Sequence, residues 1–298
     1  MSHPTQTTSD PVVVTQRLRE RAATALERAQ RFVVDRGDSL SRLRALAVLQ
    51  ARPASDVVAE IAARQRSDGS WPALSASSIR AFGFGPLDSV APSSIHGALD
   101  GLALLSDLHA LDTDCVVHAV AFLEETQLPD GSWGSWNGGE DPSGEARLHL
   151  TGMLAGILGK TPVVRQRVLD LAAGFVGDRW SASRVGGGRW PTLACFAQFF
   201  TNVADPRSDE ALQWCGRELE RGFRSRSFGA LAVARALLYC DAVAFPGCRI
   251  KAVELVEGLI GAQAEDGSFA ALSTCEGDPQ VAATIDAMRA LVVFCAEL

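Results

Sequence analysis

Two histidines and two aspartates stand among mostly apolar residues of this 298-residue chain, where they could act as acids and bases. When the small-residue segments are aligned, His96 and His149 take equivalent positions, and Asp100 follows His96 by four residues. Asp38 falls at the matching level of the first such segment. Imidazole titrates near neutral pH and burial can raise the pKa of a carboxyl group, so these groups can exchange protons with a substrate. They are the predicted catalytic set; the alternative is that they only hydrogen-bond loop backbone.

Asp100 and Asp286 each lie in an apolar segment, where a buried acid needs a partner. Arg289 follows Asp286 by three residues, a spacing that predicts a local ion pair. Asp100 has no such neighbour in sequence and is therefore the better candidate for an acid with a shifted pKa.

Aromatic side chains are predicted to line the site or its lid. An aromatic face can stabilise a cation that passes through an apolar cavity, although most such residues simply belong to the core. The predicted substrate-binding residues are Phe82, Phe84, Trp136, Trp190, Phe196 and Tyr239.

Helices must position these residues, because the apolar periodicity is helical along the chain and strand signals are almost absent. The pattern predicts twelve helices in six pairs. The first members lie near 11–34, 54–66, 112–127, 163–177, 208–222 and 249–264, and the second members near 39–49, 93–107, 145–159, 189–203, 227–241 and 279–296.

The two members of a pair differ in composition. The first is amphipathic, whereas the second is apolar nearly all round, as in G-A-L-D-G-L-A-L-L and T-G-M-L-A-G-I-L. A helix that is apolar on every side must be buried on every side. Six such helices inside six amphipathic ones describe an all-α (α/α)6 toroid, predicted as a single domain over residues 11–298 after a disordered tail at 1–10. The longest connection, 67–92, lies where the inner helices begin, and this end is the predicted mouth of a central cavity.

One motif, Q-x-x-D-G-S-[W/F], occurs three times. Its copies are Gln65–Trp71, Gln127–Trp133 and Gln263–Phe269. Gly supplies the left-handed backbone that ends a helix, and Asp and Ser satisfy nearby backbone groups. A repeated helix end indicates a repeated helical unit.

The motif followed by a small-residue helix resembles the QW repeat of squalene and oxidosqualene cyclases, class II diterpene cyclases and protein-prenyltransferase β subunits. The resemblance covers nearly the whole chain. It implies a toroid that holds a prenyl-type chain, with carbocation chemistry as the commonest activity. It also implies that the Gln and the aromatic residue of each motif tie an outer helix to the inner helix that follows.

The catalytic signatures of those families are missing. In place of the acids of D-x-D-D-T-A, the segment 280–291 carries Gln280, Ala282 and Ala283. No Asp-x-Cys pair precedes His149, as a prenyltransferase zinc site would require, and no D-D-x-x-D is present. The chain is therefore predicted to use neither a metal nor another cofactor.

Composition excludes several classes of partner. A net charge of −7 without a Lys/Arg cluster argues against nucleic acid. Seven scattered cysteines favour reduced core thiols, and the chain shows no signal sequence or membrane-length apolar run, so a cytoplasmic protein without a membrane span is predicted.

These observations predict a terpene-cyclase-like enzyme that cyclises or isomerises a prenyl-type or polyene substrate by acid/base-assisted carbocation chemistry, without the usual acid. One alternative is a toroid without catalysis that binds a hydrophobic ligand or a partner protein. Another is a toroid with a different cyclisation or lyase chemistry, for which a His/Tyr pair is typical; Tyr239 is the only tyrosine. Fold resemblance alone does not fix the reaction.

Overall fold

The structure, a computed structural model, describes residues 11–72, 74, 94–134, 144–271 and 279–298. These residues form helices and no strand, which confirms the predicted all-α class. The predicted disordered tail at 1–10 lies outside them. The helices are α1 Pro11–Arg36, α2 Ser39–Val48, α3 Ala54–Ala63, α4 Ser94–Asp107, α5 Asp114–Thr126, α6 Glu145–Leu158, α7 Gln166–Gly177, α8 Ala182–Val185, α9 Trp190–Asn202, α10 Ser208–Arg224, α11 Ala230–Tyr239, α12 Ala252–Ala262 and α13 Pro279–Ala296.

Each predicted helix is present, with ends that differ by a few residues from the predicted ones. The short helix α8 is an addition that the periodicity did not predict, because four residues are too few to show a helical repeat.

Five of the second members, α4, α6, α9, α11 and α13, are buried over most of their length. Every residue of α6 from Leu148 to Leu158 is buried, and so is every residue of α11 from Ala230 to Leu238. The amphipathic α10 instead buries one face and exposes the other, as its charged residues require. The predicted difference thus holds for these five helices, whereas α2 buries only four of its ten residues and departs from the prediction.

The buried helices contact one another in chain order. α4 packs on α6, α6 on α9, α9 on α11 and α11 on α13, and α13 also packs on α2 near the start of the chain. The amphipathic α1 lies against both α12 and α13. The first and last helices therefore share one core.

The motif glutamines join neighbouring amphipathic helices. Gln127 Nε2 donates to Gly131 O at 3.0 Å within its own motif and to Val168 O of α7 at 3.0 Å. Gln65 makes the same pair of bonds, with Cys115 O of α5 as the distant acceptor at 2.7 Å.

The third motif copy joins helices near the two ends of the chain. Gln263 Nε2 donates to Gly267 O at 3.0 Å and to Ala25 O of α1 at 2.8 Å. Each motif copy therefore links the amphipathic helix that it ends to another amphipathic helix. For the glutamine, the predicted link to the small-residue helix that follows is wrong, because its amide donates to the backbone of an amphipathic helix instead.

Trp71, the aromatic residue of the first motif copy, does contact the small-residue helix that follows. A Cβ on Gly101 of α4 would lie 2.5 Å from the ring of Trp71, so the indole packs directly on the helix backbone. Its Nε1 donates back to Ile61 O at 2.8 Å, as Trp133 Nε1 does to Leu123 O. The indole therefore fixes the angle between its outer helix and the next inner one.

One helix passes a length and hydropathy test for a membrane span. Pro279–Ala296 has a mean hydropathy of 1.3, and 61% of it is buried inside the protein. Core helices of soluble proteins pass the same test, so the predicted absence of a membrane span stays a prediction.

Candidate functional site

The predicted acid/base residues of α4 and α6 lie in the first half of each helix, next to the motif loops. His96 is partly buried, whereas His149 is only 4% exposed and Asp100 is fully buried. The structure therefore places three of the four predicted catalytic residues in the first halves of two neighbouring buried helices, a region that we call the motif end.

His149 has a hydroxyl partner from the next inner helix. Its Nε2 lies 2.9 Å from Oγ1 of Thr192 in α9, and the imidazole tautomer decides which of the two donates. Thr192 is itself buried. An imidazole and a hydroxyl in hydrogen-bond contact can pass a proton between them. Sequence reasoning missed Thr192, because the contact spans 43 residues and no local pattern announces it.

Asp100 receives a backbone hydrogen bond from the loop that follows a motif. Its Oδ2 accepts from Leu74 N at 3.2 Å. In the other two motif units a threonine bonds to the loop backbone at the motif aromatic residue itself: Trp133 N donates to Thr151 Oγ1 at 3.1 Å, and Phe269 N donates to Thr284 Oγ1 at 3.0 Å. Asp100 thus differs from both threonines in its donor, which lies three residues beyond Trp71, and in carrying a titratable group.

Asp38 takes the role of a helix cap. Its Oδ1 accepts from Ser41 N at 2.8 Å at the start of α2. The side chain is 42% exposed, and its Oδ2 lies 4.0 Å from Arg64 Nη1. The observed contact is the backbone hydrogen bond that the sequence allowed as the alternative role, and an N-cap aspartate is a common helix start.

Two of the predicted aromatic residues are part of the core. Trp190 begins α9 and donates from Nε1 to Ala232 O at 2.8 Å. Phe196 is fully buried and stacks on Phe200 with ring centres 6.0 Å apart. Phe82, Phe84 and Trp136 lie outside the described residues.

Tyr239 lies at the other end of the inner helices. It is the last residue of α11, and its carbonyl accepts from Lys160 Nζ at 2.8 Å. Lys160 follows His149 by eleven residues, so the helix rise separates their levels by roughly 15 Å. The structure therefore does not bring Tyr239 to the level of His149, which removes support for a His/Tyr lyase pair.

A buried group of ion pairs extends from the middle of α2, α11 and α13 to that second end. Asp286 of α13 accepts from Arg44 Nη2 of α2 at 2.9 Å and from Arg235 Nε of α11 at 2.6 Å. Arg44 Nη2 also donates to Asp107 Oδ2, at the end of α4, at 2.7 Å. Arg289 pairs with Asp107 as well. The predicted local pair of Asp286 with Arg289 is wrong, because the carboxylate turns toward two arginines distant in sequence.

An ion pair between Lys160 and Asp241 belongs to the same group. Lys160 Nζ lies 2.7 Å from Asp241 Oδ2, and Arg289 Nη2 lies 3.9 Å from Asp241 Oδ1. We call the seven residues the ion-pair cluster: Arg44, Asp107, Lys160, Arg235, Asp241, Asp286 and Arg289. Burial alone would lower the pKa of Arg44, but the charges of Asp286 and Asp107 outweigh it and raise that pKa.

The buried cysteines show no sign of chemical activation. Burial raises the pKa of Cys195 and Cys215, and it raises that of Cys240 to about 12. A thiol of this kind stays protonated and is a poor nucleophile. No group of three His, Cys, Asp or Glu side chains suited to a metal ion occurs in the described ranges.

Two clefts occur away from the predicted catalytic residues. One, of about 630 Å³, is lined by residues of the α9–α10 connection, including Phe200 and Asp205. The other, of about 700 Å³, lies between the α10–α11 connection and Gly258 of α12. Neither is lined by the histidines or aspartates of the motif end.

Comparison with models of known protein families gives no match, and searches of curated proteins and of solved structures give none either. The resemblance to cyclases and prenyltransferases therefore stays a prediction from the three motif copies.

Proposed function

We propose that the protein is a terpene-cyclase-like enzyme that cyclises or isomerises a prenyl-type or polyene substrate inside an (α/α)6 toroid. Consecutive contacts between the buried helices support the toroid, and so does the bond from Gln263 to Ala25, which joins α12 to α1. In this arrangement α2, α4, α6, α9, α11 and α13 form the inner wall.

The observation that carries the proposed reaction is the carboxyl group of Asp100. It is fully buried in an apolar helix, next to the loop that follows the first motif, where its Oδ2 accepts from Leu74 N. A protonated carboxyl group in an apolar site can donate its proton to a carbon–carbon double bond. The carbocation that results is shielded from water by the apolar inner helices.

His149 completes the proposed cycle as the base. Its imidazole, in contact with Thr192, accepts the proton that the carbocation loses when a new double bond forms. One proton enters from Asp100 and one leaves to His149, so the product is an isomer of the substrate. His96, at the equivalent position of α4, serves as a second candidate base.

The test is product formation by the purified protein from prenyl diphosphates, prenylated aromatics and linear polyenes, followed by gas chromatography and mass spectrometry. Asp100→Thr is the informative variant, because it keeps a hydroxyl for the loop contact and removes the acid. We expect wild-type product, and at least a 100-fold loss in Asp100→Thr, since general acid catalysis contributes about 10²–10⁴-fold. Glu257→Gln, at an exposed position of α12, is the control and keeps full activity.

Two results would contradict the proposal. One is an absence of product from all three substrate classes. The other is a wild-type rate in Asp100→Thr with an unchanged melting temperature.

A second candidate is a toroid that binds a hydrophobic ligand without changing it. The observation in its favour is that Asp38 and Asp100 both accept hydrogen bonds from backbone N–H groups, as structural aspartates do. Native mass spectrometry of the purified protein separates the two candidates. A ligand that co-purifies and is recovered unchanged after incubation favours binding, whereas conversion to an isomer favours catalysis.

A further inference from the structure

Arg235 is a buried arginine whose donors are only partly used. Its residue is 2% exposed, and Nε donates to Asp286 Oδ2 at 2.6 Å. Within the described part of the chain, its Nη1 is buried without a hydrogen-bond partner. A buried donor left unpaired on a charged group costs free energy, so native structures normally supply an acceptor.

The ion-pair cluster also carries an excess of positive charge. Its four cations are Arg44, Lys160, Arg235 and Arg289, and its three anions are Asp107, Asp241 and Asp286. Each carboxylate is shared between two cations. With four positive and three negative side chains, the described members carry a net charge of +1. One added anion would bring the charge of these described members to zero, which favours burial.

The cluster draws its side chains from helices on several sides. Arg44 comes from α2, Asp107 from α4, Arg235 from α11 and Asp286 from α13. Asp107 follows Asp100 by seven residues of α4, so it lies about 10 Å further along the helix axis. In the proposed toroid Asp107 lies below the candidate acid, whereas Arg235 and Asp286 lie near the middle of their helices.

We propose that Arg235 Nη1 binds the single carboxylate of an otherwise apolar ligand. The inference rests on the proposed function, since it needs a ligand within the inner helices. A carboxylate matches the charge of the cluster and accepts the planar N–H donors of a guanidinium. It anchors one end of the ligand at the ion-pair cluster, while the apolar chain extends toward Asp100 and His149.

The test compares a long-chain polyene carboxylic acid with its methyl ester, both added to the full-length protein and followed by the intrinsic fluorescence of the polyene. The two probes share the same apolar chain and differ in the charge. We expect the acid to bind about 10- to 100-fold more tightly than the ester, as a hydrogen bond to a charged group allows.

Arg235→Gln is the variant that removes the charge. We expect it to abolish the preference for the acid and to leave the affinity for the ester within about twofold of wild type. Arg167→Gln, at an exposed position of α7, is the matched control and keeps the preference. If Arg235→Gln fails to fold, Arg235→Lys is the second variant, because it keeps the charge and loses the planar guanidinium. The ratio of the affinities for acid and ester in the wild-type protein still tests the carboxylate site.

The possible failures are distinct. Equal binding of acid and ester to the wild type overturns the carboxylate site and leaves the proposed function standing. If neither the acid nor the ester binds, both this inference and the proposed function are contradicted. If acetate alone raises the melting temperature as much as the long-chain acid does, the cluster holds a small free anion, and the inference is again overturned.

Discussion

Two groups of buried polar side chains, the motif end and the ion-pair cluster, are held by different means. At the motif end the contacts join backbone to side chains, as Trp133 N does with Thr151, or pair an imidazole with a hydroxyl, as in His149 and Thr192. In the ion-pair cluster, buried carboxylates such as Asp286 are shared between arginines from different helices. Only the second arrangement is held by pairs of opposite charges.

This difference distinguishes the residues that stabilise the fold from the residues that are available for catalysis. Removal of one partner from a buried charge cluster leaves a charge in the interior, which is expensive. Removal of one acceptor from a loop contact, such as Thr151 or Asp100, leaves a single backbone N–H without its partner, at a lower cost. The motif end can therefore carry a reactive residue without loss of the fold.

The largest effect is expected for Asp286→Asn. The change removes the counter-charge that Arg44 and Arg235 share, and we expect the free energy of unfolding to fall by roughly 3–5 kcal/mol. Urea denaturation measures it. Glu257→Gln, which neutralises an exposed carboxylate, is the control and should stay within about 0.5 kcal/mol of wild type. A loss below about 1 kcal/mol in Asp286→Asn would erase the contrast between the two groups.

At the motif end, Gly131→Ala should give the next largest loss. Gly131 has φ +84°, and an added Cβ would lie 2.0 Å from Leu171 O of the neighbouring helix. Backbone strain and forced movement of that helix together should cost roughly 2–4 kcal/mol. Gly187 also has a positive φ, of +74°, but nothing lies within 4 Å of an added Cβ.

The control Gly187→Ala should therefore lose only the strain energy, about 1 kcal/mol. Thermal and urea unfolding of both variants give the comparison. Equal losses in the two would mean that the close approach of α5 and α7 at the motif is not a tight contact.

Gln127→Ala should have a smaller effect. It removes the two hydrogen bonds to Gly131 O and Val168 O, and the expected loss in the free energy of unfolding is about 1–3 kcal/mol. Gln213→Ala, at an exposed position of α10, serves as the reference and should change little. If both variants unfold at the same urea concentration as wild type, the motif does not join the outer helices.

The smallest effect is a pH dependence from the motif aspartates. Hydrogen bonds from Ser70 lower the pKa of Asp68, and those from Ser268 lower that of Asp266. For Asp130, burial would raise the pKa, but bonds from Ser132 and Arg147 outweigh it and lower that pKa.

A folded-state pKa below the unfolded value of about 3.9 means that the carboxylate stabilises the fold above that pH. The stabilisation is lost as the pH falls through the lower folded-state pKa. We expect the melting temperature of the wild type to fall more steeply below about pH 4 than that of the variant in which Asp68, Asp130 and Asp266 are all replaced by Asn. Parallel curves for the two proteins would show that these aspartates are not coupled to folding.

Local sequence patterns predicted the helices and their burial, because apolar periodicity reports directly which face of a helix is covered. They also contained the capping role of Asp38, since an aspartate before a helix start is an N-cap signal. The local reading failed where the partner is distant in sequence. Asp286 was assigned to the nearby Arg289, although its partners lie 242 and 51 residues away.

The sequence already shows a charged residue in a buried helix, Arg235, but it was not among the predicted site residues. Arg235 is the single charged residue of the apolar helix α11, a feature that the same reasoning had applied to Asp100. Thr192 could not have been found in this way, since a threonine in a helix carries no signal of its partner. The Gln contacts to the next outer helix likewise depend on how the helices pack, which the motif alone does not encode.

Electron density for a bound ligand tests the central claim most directly. We predict that a crystal structure of the protein with a long-chain polyene acid shows the molecule enclosed by the inner helices, with its chain against Asp100 and His149. An interior filled by the protein's own side chains, with the ligand elsewhere or absent, would contradict the account.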